Sequence, residues 1–441
     1  MAHFARETHA RVLVMGLGRM GWAIARQFHR LRDRYPVDLM LYDPSPEIVQ
    51  RVRTFERIGE ILPPDWTPRE TIARVRPRVI VHCAPYYTQN AYMAWAMTFQ
   101  CDLITLGQDT PFVRKAIQQY RTRPWRGARI VLDHGLAPGL LHTLAVTIGR
   151  DSGARSVVME CGGLPLNPNT GGPLRYGLSF SPSGLLQEYR GTAYIRRDGR
   201  LYALMPLSDV AYRSPSEVDP WMLSDVPPAL SERLRYWGVP PFYRESDSGW
   251  TIGALESAVT ADGTTVLPWD ARFADWQTIE YHTVRYAGHY RWFRALAAQG
   301  CLDDPTVIES LQRLPPAIPD IVLFRIRTDT RTFAGVVVAD AVLDAFPELF
   351  MGGAPVWTAM QHLTGWPVVW TALALLGLWT APIRPLDEPG PTGQPVEQRL
   401  AQGGILLPYE WLDGRKLWDA VCAMIPPDGV VFTETPCHAE T

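Results

Sequence analysis

The stretch RVLVMGLGRMGWAIARQFHRL, residues 11–31, opens as an apolar run and passes into Gly16, Gly18 and Gly21. Ala23, Ile24, Phe28 and Leu31 then recur at helical spacing. The next apolar run, VDLMLYD at 37–43, ends in Asp43 and is stopped by Pro44 and Pro46. Strand, glycine turn, helix and acid-tipped strand in this register form the full dinucleotide-binding pattern, of which G-x-G-x-x-G alone is a weak sign. Gly16 permits the tight turn, Gly18 lets backbone approach a pyrophosphate, and Gly21 lets the helix pack close. Helix N–H groups around Arg19 and Met20 would face the phosphates. Asp43 would accept hydrogen bonds from ribose hydroxyls and repel a 2′-phosphate, which predicts NAD rather than NADP as cofactor.

The alternation continues outward. PRVIVHCAP (77–85), CDLITLG (101–107) and ARIVL (128–132) read as strands, with helices over NAYMAWAMTF and DTPFVRKAIQQY. The pattern predicts an α/β fold beginning with a Rossmann-type, doubly wound parallel sheet. Its ligand crevice lies beyond the carboxyl ends of the strands. Ala84, Pro85, Tyr86, Gly107 and Asp109 fall there, as do Asp133 and His134 at the corner DHGLAPGLLH (133–142).

After about residue 155 the texture changes to short strand-like runs between Gly and Pro turns: SVVMECGG, LRYGLSF, TAYIRRDG, RLYALM, YHTVRYAGH and IVLFRIRTD. We expect an NAD-binding domain over 1–140, an α+β domain for substrate and dimerisation over 141–338, and a helical segment over 339–441 that packs back near the first domain. ADAVLDAFPELF, WTAMQHLTGWPVVWTALALL and GRKLWDAVCAM supply its helices.

Composition narrows the function class. The 441 residues are 46% hydrophobic with a net charge of −2 and no basic block, so nothing marks a nucleic-acid or anionic-membrane partner. The most apolar segment, 366–379, is shorter than the roughly 20 residues of a membrane span. The six cysteines show no metal-ligand spacing and the histidines no HExxH, so no metal is expected. The N-terminus shows no secretory pattern, and a cytoplasmic protein is expected. Lys115 and Lys416 are the only lysines, so proton transfer should fall to His, Asp, Glu, Tyr or Cys.

CAPYY, GLAPGL, CGGLP, FSPSGLLQEYRG, GALESAVTADGTTVLP, TVRYAGH and WTAM…TGWPVVWTALALL occur in an order that resembles the saccharopine dehydrogenase-like family. Within it the chain looks most like the bacterial L-lysine 6-dehydrogenases. The resemblance implies hydride transfer between a nicotinamide and a carbon bearing nitrogen, and a homodimer. It also places Tyr86 near the nicotinamide and Asp109 in proton transfer. Relatives often carry cysteine where this chain has His134.

The chemistry needs a base for the ammonium proton, and histidine titrates in the right range. His134, oriented by Asp133, is one candidate; capping of a strand end is its structural alternative. Asp109 could act as catalyst or as helix cap, and Tyr86 or Tyr87 could line the pocket. Arg285 could clamp a carboxylate, with Tyr189 beside it in the substrate site. Glu256 and Glu188 could hold a distal ammonium, and His289 could cap or catalyse. Tryptophan faces attract alkylammonium groups, yet most of the 16 tryptophans are expected in the core. The expected activity is NAD-dependent oxidation of a primary amine, such as the terminal amine of L-lysine. The alternatives are a reductive condensing enzyme of the saccharopine reductase or carboxynorspermidine dehydrogenase/homospermidine synthase type, and a non-catalytic NAD sensor.

Overall fold

The computed structural model describes residues 10–53, 58–107, 109–315, 319–338, 357–386 and 391–436. Strands β1 (Ala10–Met15), β2 (Val37–Tyr42), β3 (Glu60–Ile61), β4 (Val79–His82), β5 (Asp102–Thr105) and β6 (Arg129–Val131) alternate with helices α1 (Arg19–Arg30), α2 (Pro46–Arg53), α3 (Pro68–Val75), α4 (Gln89–Phe99), α5 (Thr110–Thr122) and α6 (Leu140–Asp151). Their order, β6-β5-β4-β1-β2-β3, is the doubly wound order, and every pair is parallel. Residues 12–15 and 79–82 are buried on both faces, because helices cover both sides. The chain reverses between β1 and β4, which opens the crevice.

The second sheet is mixed. It contains β7 (Ser156–Pro165), β8 (Ala193–Arg197), β9 (Arg200–Leu204) and β10 (Tyr212–Arg213), followed by β14 (Leu255–Val259), β15 (Thr278–Tyr286), β16 (Asp320–Thr328) and β17 (Arg331–Val338). A small separate sheet of β11 (Trp221–Leu223), β12 (Tyr243–Ser246) and β13 (Gly249–Ile252) flanks it. β7 runs parallel to β15 and antiparallel to β16. LRYGLSF, read as a strand, is instead a short 3-10 turn and irregular chain. Its apolar residues Tyr176 and Leu178 are there to fill a core.

The C-terminal part does not form a purely helical unit. β18 (Gly404–Leu406) pairs with β6 and extends the first sheet, and β19 (Val430–Pro436) pairs with β17 and extends the second. The helix Ala359–Leu375 packs against α1 of the first domain and β16 of the second. Thr358 and Gln361 form its capping box, while both carboxylate oxygens of Asp320 accept from Ala359 N and Met360 N at 2.7 and 3.0 Å. The helix approaches α1 so closely that a Cβ on Gly365 would lie 2.0 Å from Gln27 Oε1. One apolar cluster therefore runs from the first sheet through this helix to the second. Among the described residues no helix is long and apolar enough to cross a membrane. ADAVLDAFPELF, expected as helix, lies outside the described residues.

Candidate active site

The glycine turn is built by contact as well as by conformation. Gly16 has φ +94°, and a Cβ there would meet Ala84 N at 2.8 Å. A Cβ on Gly21 would fall 1.8 Å from Gly16 O, so the helix can start here only on glycine. Gly18 is different: nothing lies within 4 Å of its Cβ position. The protein leaves that space open at the N-terminus of α1, where backbone N–H groups favour an anion. A pyrophosphate fits it.

Asp43, just past β2, accepts from Leu17 N at 2.8 Å and from Ser45 N at 2.9 Å. It braces the glycine loop, a role that sequence spacing does not reveal. Its remaining lone pairs stay available to a ribose hydroxyl.

A cavity of about 390 Å³ opens beside the turn. From the first sheet come Gly18, Arg19, Met20, Ala84, Pro85, Tyr86 and Gly107, all anticipated from the strand ends. From the second sheet come Cys161 and Gly163 of β7 and Tyr281, Thr283 and Arg285 of β15. These are alternate residues, so strand pleating aims one face of the sheet at the dinucleotide cradle. Helix α7 (Pro182–Arg190), capped by Ser181 Oγ accepting from Gly184 N at 3.1 Å, adds Glu188. Met360 and Thr364 of the long helix close the wall, and no lining residue is a tryptophan. Tyr281, Thr283 and Cys161, and Met360 and Thr364 of the long helix, were missed as site residues; the period-2 spacing of 281, 283 and 285 was the available signal.

Glu188 and Arg285 meet inside this cavity, with Arg285 Nη2 donating to Glu188 Oε2 at 3.1 Å. Arg285 also donates to the Val284 carbonyl at 3.0 Å, lies over the Tyr176 ring, and leaves its Nε–H without an acceptor among the described residues. Burial pushes the Glu188 carboxyl up to about 7, against the opposing pull of Arg285.

Several expected site residues lie off the cavity wall. His134 is fully buried and absent from the cavity wall. Its backbone N–H donates to Thr105 O, which continues the sheet and turns the imidazole away from the crevice. Nε2 donates to the Pro367 carbonyl at 3.1 Å and lies 2.6 Å from Thr371 Oγ1, tying the strand end to the long helix. Burial depresses it to about 4. Glu256 accepts from Tyr290 N at 2.6 Å and from Tyr212 OH at 3.0 Å, so it anchors the start of the helix His289–Ala298. Tyr189 donates to His289 Nε2 at 2.9 Å, and His289 Nδ1 donates to Leu174 O. Both are packing residues, not cavity residues.

Asp109 caps α5 by accepting from Phe112 N at 2.9 Å and does not line the cavity. Nearby, Asp133 is buried, and burial pushes its carboxyl up to about 7, with Asp262 and Asp109 adding to the rise. Tyr86 donates to Gln187 Oε1 at 3.2 Å. Among the described residues no three His, Cys, Asp or Glu side chains gather as a metal-ligand group.

Residues 135–364 match the family model described as the saccharopine dehydrogenase C-terminal domain. The chain belongs to the saccharopine dehydrogenase family. Mouse mitochondrial alpha-aminoadipic semialdehyde synthase is 23% identical over 204 residues, 44% of this chain and 21% of that protein. The NADP(+)-linked, L-glutamate-forming saccharopine dehydrogenase of Saccharomyces cerevisiae is 27% identical over 128 residues, 28% of each chain. The match thus spans less than a third of each of these curated relatives. The apo structure of the L-Glu-forming yeast enzyme superposes with a TM-score of 0.60 at 16% identity, covering 97% of this chain and 100% of that one. Homospermidine synthase from Legionella pneumophila, solved with NAD, gives 0.53 at 11% identity over 96% and 91%. This saccharopine dehydrogenase family member shares their fold along nearly its whole length.

Proposed function

We propose that this protein is an NAD-dependent oxidoreductase acting at a carbon that bears nitrogen, with the terminal primary amine of L-lysine or a similar diamino compound as substrate. One observation carries the proposal: a single cavity joins the open space over Gly18 to the Glu188–Arg285 pair of the second domain. Gly16, Gly18 and Gly21 would hold the pyrophosphate, Asp43 the adenosine ribose, and Ala84, Pro85 and Gly107 the nicotinamide end. When bound, NAD supplies the two-electron acceptor for the amine carbon.

The chain's own groups do the rest. Met20, Leu136, Phe180 and Met360 line the cavity with apolar surface that excludes water and suits an alkyl chain. A homodimer belongs to the same proposal. Incubation with NAD and L-lysine, L-ornithine, diamines and polyamines, followed by nicotinamide absorbance, tests the activity. Reduction of NAD by at least one amine supports it; no turnover with any amine, in either direction, overturns it. Faster reduction of a preformed imine mixture than oxidation of free amine would move the assignment to the condensing class.

A further inference from the structure

Resting on that oxidoreductase reading, we propose that Glu188 receives the substrate ammonium and takes its proton, with Arg285 holding the carboxylate in place. Glu188 is the one carboxylate among the residues lining the cavity. Its Oε2 is fixed by Arg285, while Oε1 has no hydrogen bond among the described residues and its side chain keeps 18% exposure through the cavity. The rest of the lining offers no equivalent base. His82 is bound through Nε2 to Thr88 Oγ1 at 2.7 Å, and burial depresses it to about 3. Cys83 and Cys161 are pushed by burial up to about 12. Tyr86 is raised by burial and by the charges of Asp109 and Asp262.

The groups facing Glu188 agree with this role. Arg285 is the cation in contact, and the charge of Asp262 adds to the rise that burial imposes. Cys161, Tyr176, Tyr189 and Tyr281 are all raised by burial and neutral near pH 7. Glu188 therefore sits alone in titrating near neutrality within the wall, where a base works best.

The step balances as written. The Glu188 carboxylate removes one proton from R–CH2–NH3+, leaving R–CH2–NH2 and a carboxylic acid. The freed nitrogen lone pair then forms the C=N bond as the carbon's hydrogen leaves with the C–H electron pair for oxidised NAD, giving R–CH=NH2+ and the reduced dinucleotide. Glu188 passes its proton to solvent at the cavity mouth before the next turnover.

Calorimetric titration of the protein with 1,5-diaminopentane in two buffers of different ionisation enthalpy tests the binding half without requiring turnover. An incoming ammonium favours the charged carboxylate, so wild type should release protons near pH 7, Glu188→Asp should retain this, and Glu188→Gln should release none while binding the amine at least about tenfold more weakly. In turnover, Glu188→Gln should lose about 10²–10⁴ in kcat and the acid limb of its pH profile. Equal proton release from wild type and Glu188→Gln, an unchanged pH profile in the variant, or no amine binding by wild type would overturn the assignment. The two proposals fail separately. Glu188-dependent proton release without any NAD reduction sinks only the activity, whereas amine oxidation that survives Glu188→Gln sinks only the base.

Discussion

The Tyr86 hydroxyl, on the 3-10 turn after β4, donates to Gln187 Oε1 on α7 at 3.2 Å and so links the first domain to the second. Gln187 Nε2 in turn donates to Asp262 Oδ2 at 3.2 Å, and Asp262 Oδ1 accepts from Thr110 N at the start of α5. The chain of contacts leaves the first domain, crosses the second and returns. Tyr86→Phe removes one half-exposed hydrogen bond and should cost about 0.5–1.5 kcal/mol. Gln187→Ala cuts two links and should cost more, about 1–3 kcal/mol. Urea denaturation of both variants measures the difference; equal, negligible losses would show that these contacts do not brace the domains.

Gly18 and Gly21 should part company on substitution. A methyl on Gly21 collides with Gly16 O, so Gly21→Ala should destabilise the fold by about 1–3 kcal/mol. Gly18 has φ −66° and open space, so Gly18→Ala should leave thermal stability unchanged. It should nonetheless weaken NADH binding at least about tenfold, because the methyl occupies the pyrophosphate's place. NADH fluorescence titration beside a melting curve reads both effects. Unchanged NADH affinity in Gly18→Ala would mean that no pyrophosphate lies over the turn.

Asp43→Ser should shift dinucleotide preference toward NADP by removing a charge that repels a 2′-phosphate. Since Asp43 also accepts from Leu17 N and Ser45 N, the variant should lose about 1–3 kcal/mol of stability as well. Parallel titrations with NADH and NADPH check the preference. A wild type that already favours NADPH would refute the role given to Asp43.

Asp133 makes the pH dependence of stability specific. Its carboxyl is raised by burial to about 7 in the folded protein. An unfolded aspartate titrates near 3.9. Between those values the folded state holds a proton that the unfolded state has released, so stability falls as pH rises from about 4 to 7 and stays lower above. Asp133→Asn removes this penalty. It should be near neutral at pH 4 and stabilising by about 1–3 kcal/mol at pH 8. Denaturation curves at the two pH values decide it, and a variant less stable than wild type at pH 8 would contradict the burial argument.

What could be read from the chain alone divides along physical lines. The glycine turn, the acid after β2 and the strand-end residues Ala84, Pro85, Tyr86 and Gly107 are local: neighbours in sequence set their geometry, and they stand together in the structure. β18 and β19 were not legible, because the three residues Gly404–Leu406 acquire strand character only by pairing with β6, more than 270 positions earlier, and Val430–Pro436 only by pairing with β17. His134 was placed at the right strand end but its side chain was not, since its partners Pro367 and Thr371 belong to a helix distant in sequence. Glu256 stands directly opposite Arg285 in the β14–β15 register, yet it turns to the N-terminus of the following helix. Glu188 was one of two glutamates that could hold an ammonium. Its place in the cavity wall, held by Arg285, is set by tertiary packing that the sequence does not show.

The most direct test of the central claim, that one cavity brings a nicotinamide against an amine carbon, follows the hydrogen itself. The protein is incubated with NAD and the reactive diamine or amino acid deuterated at the carbon bearing the terminal nitrogen, and the reduced dinucleotide is analysed by mass spectrometry. Transfer of one deuterium to NADH is the predicted result. NADH without deuterium, or no NADH formed from any amine despite bound dinucleotide, would contradict the account.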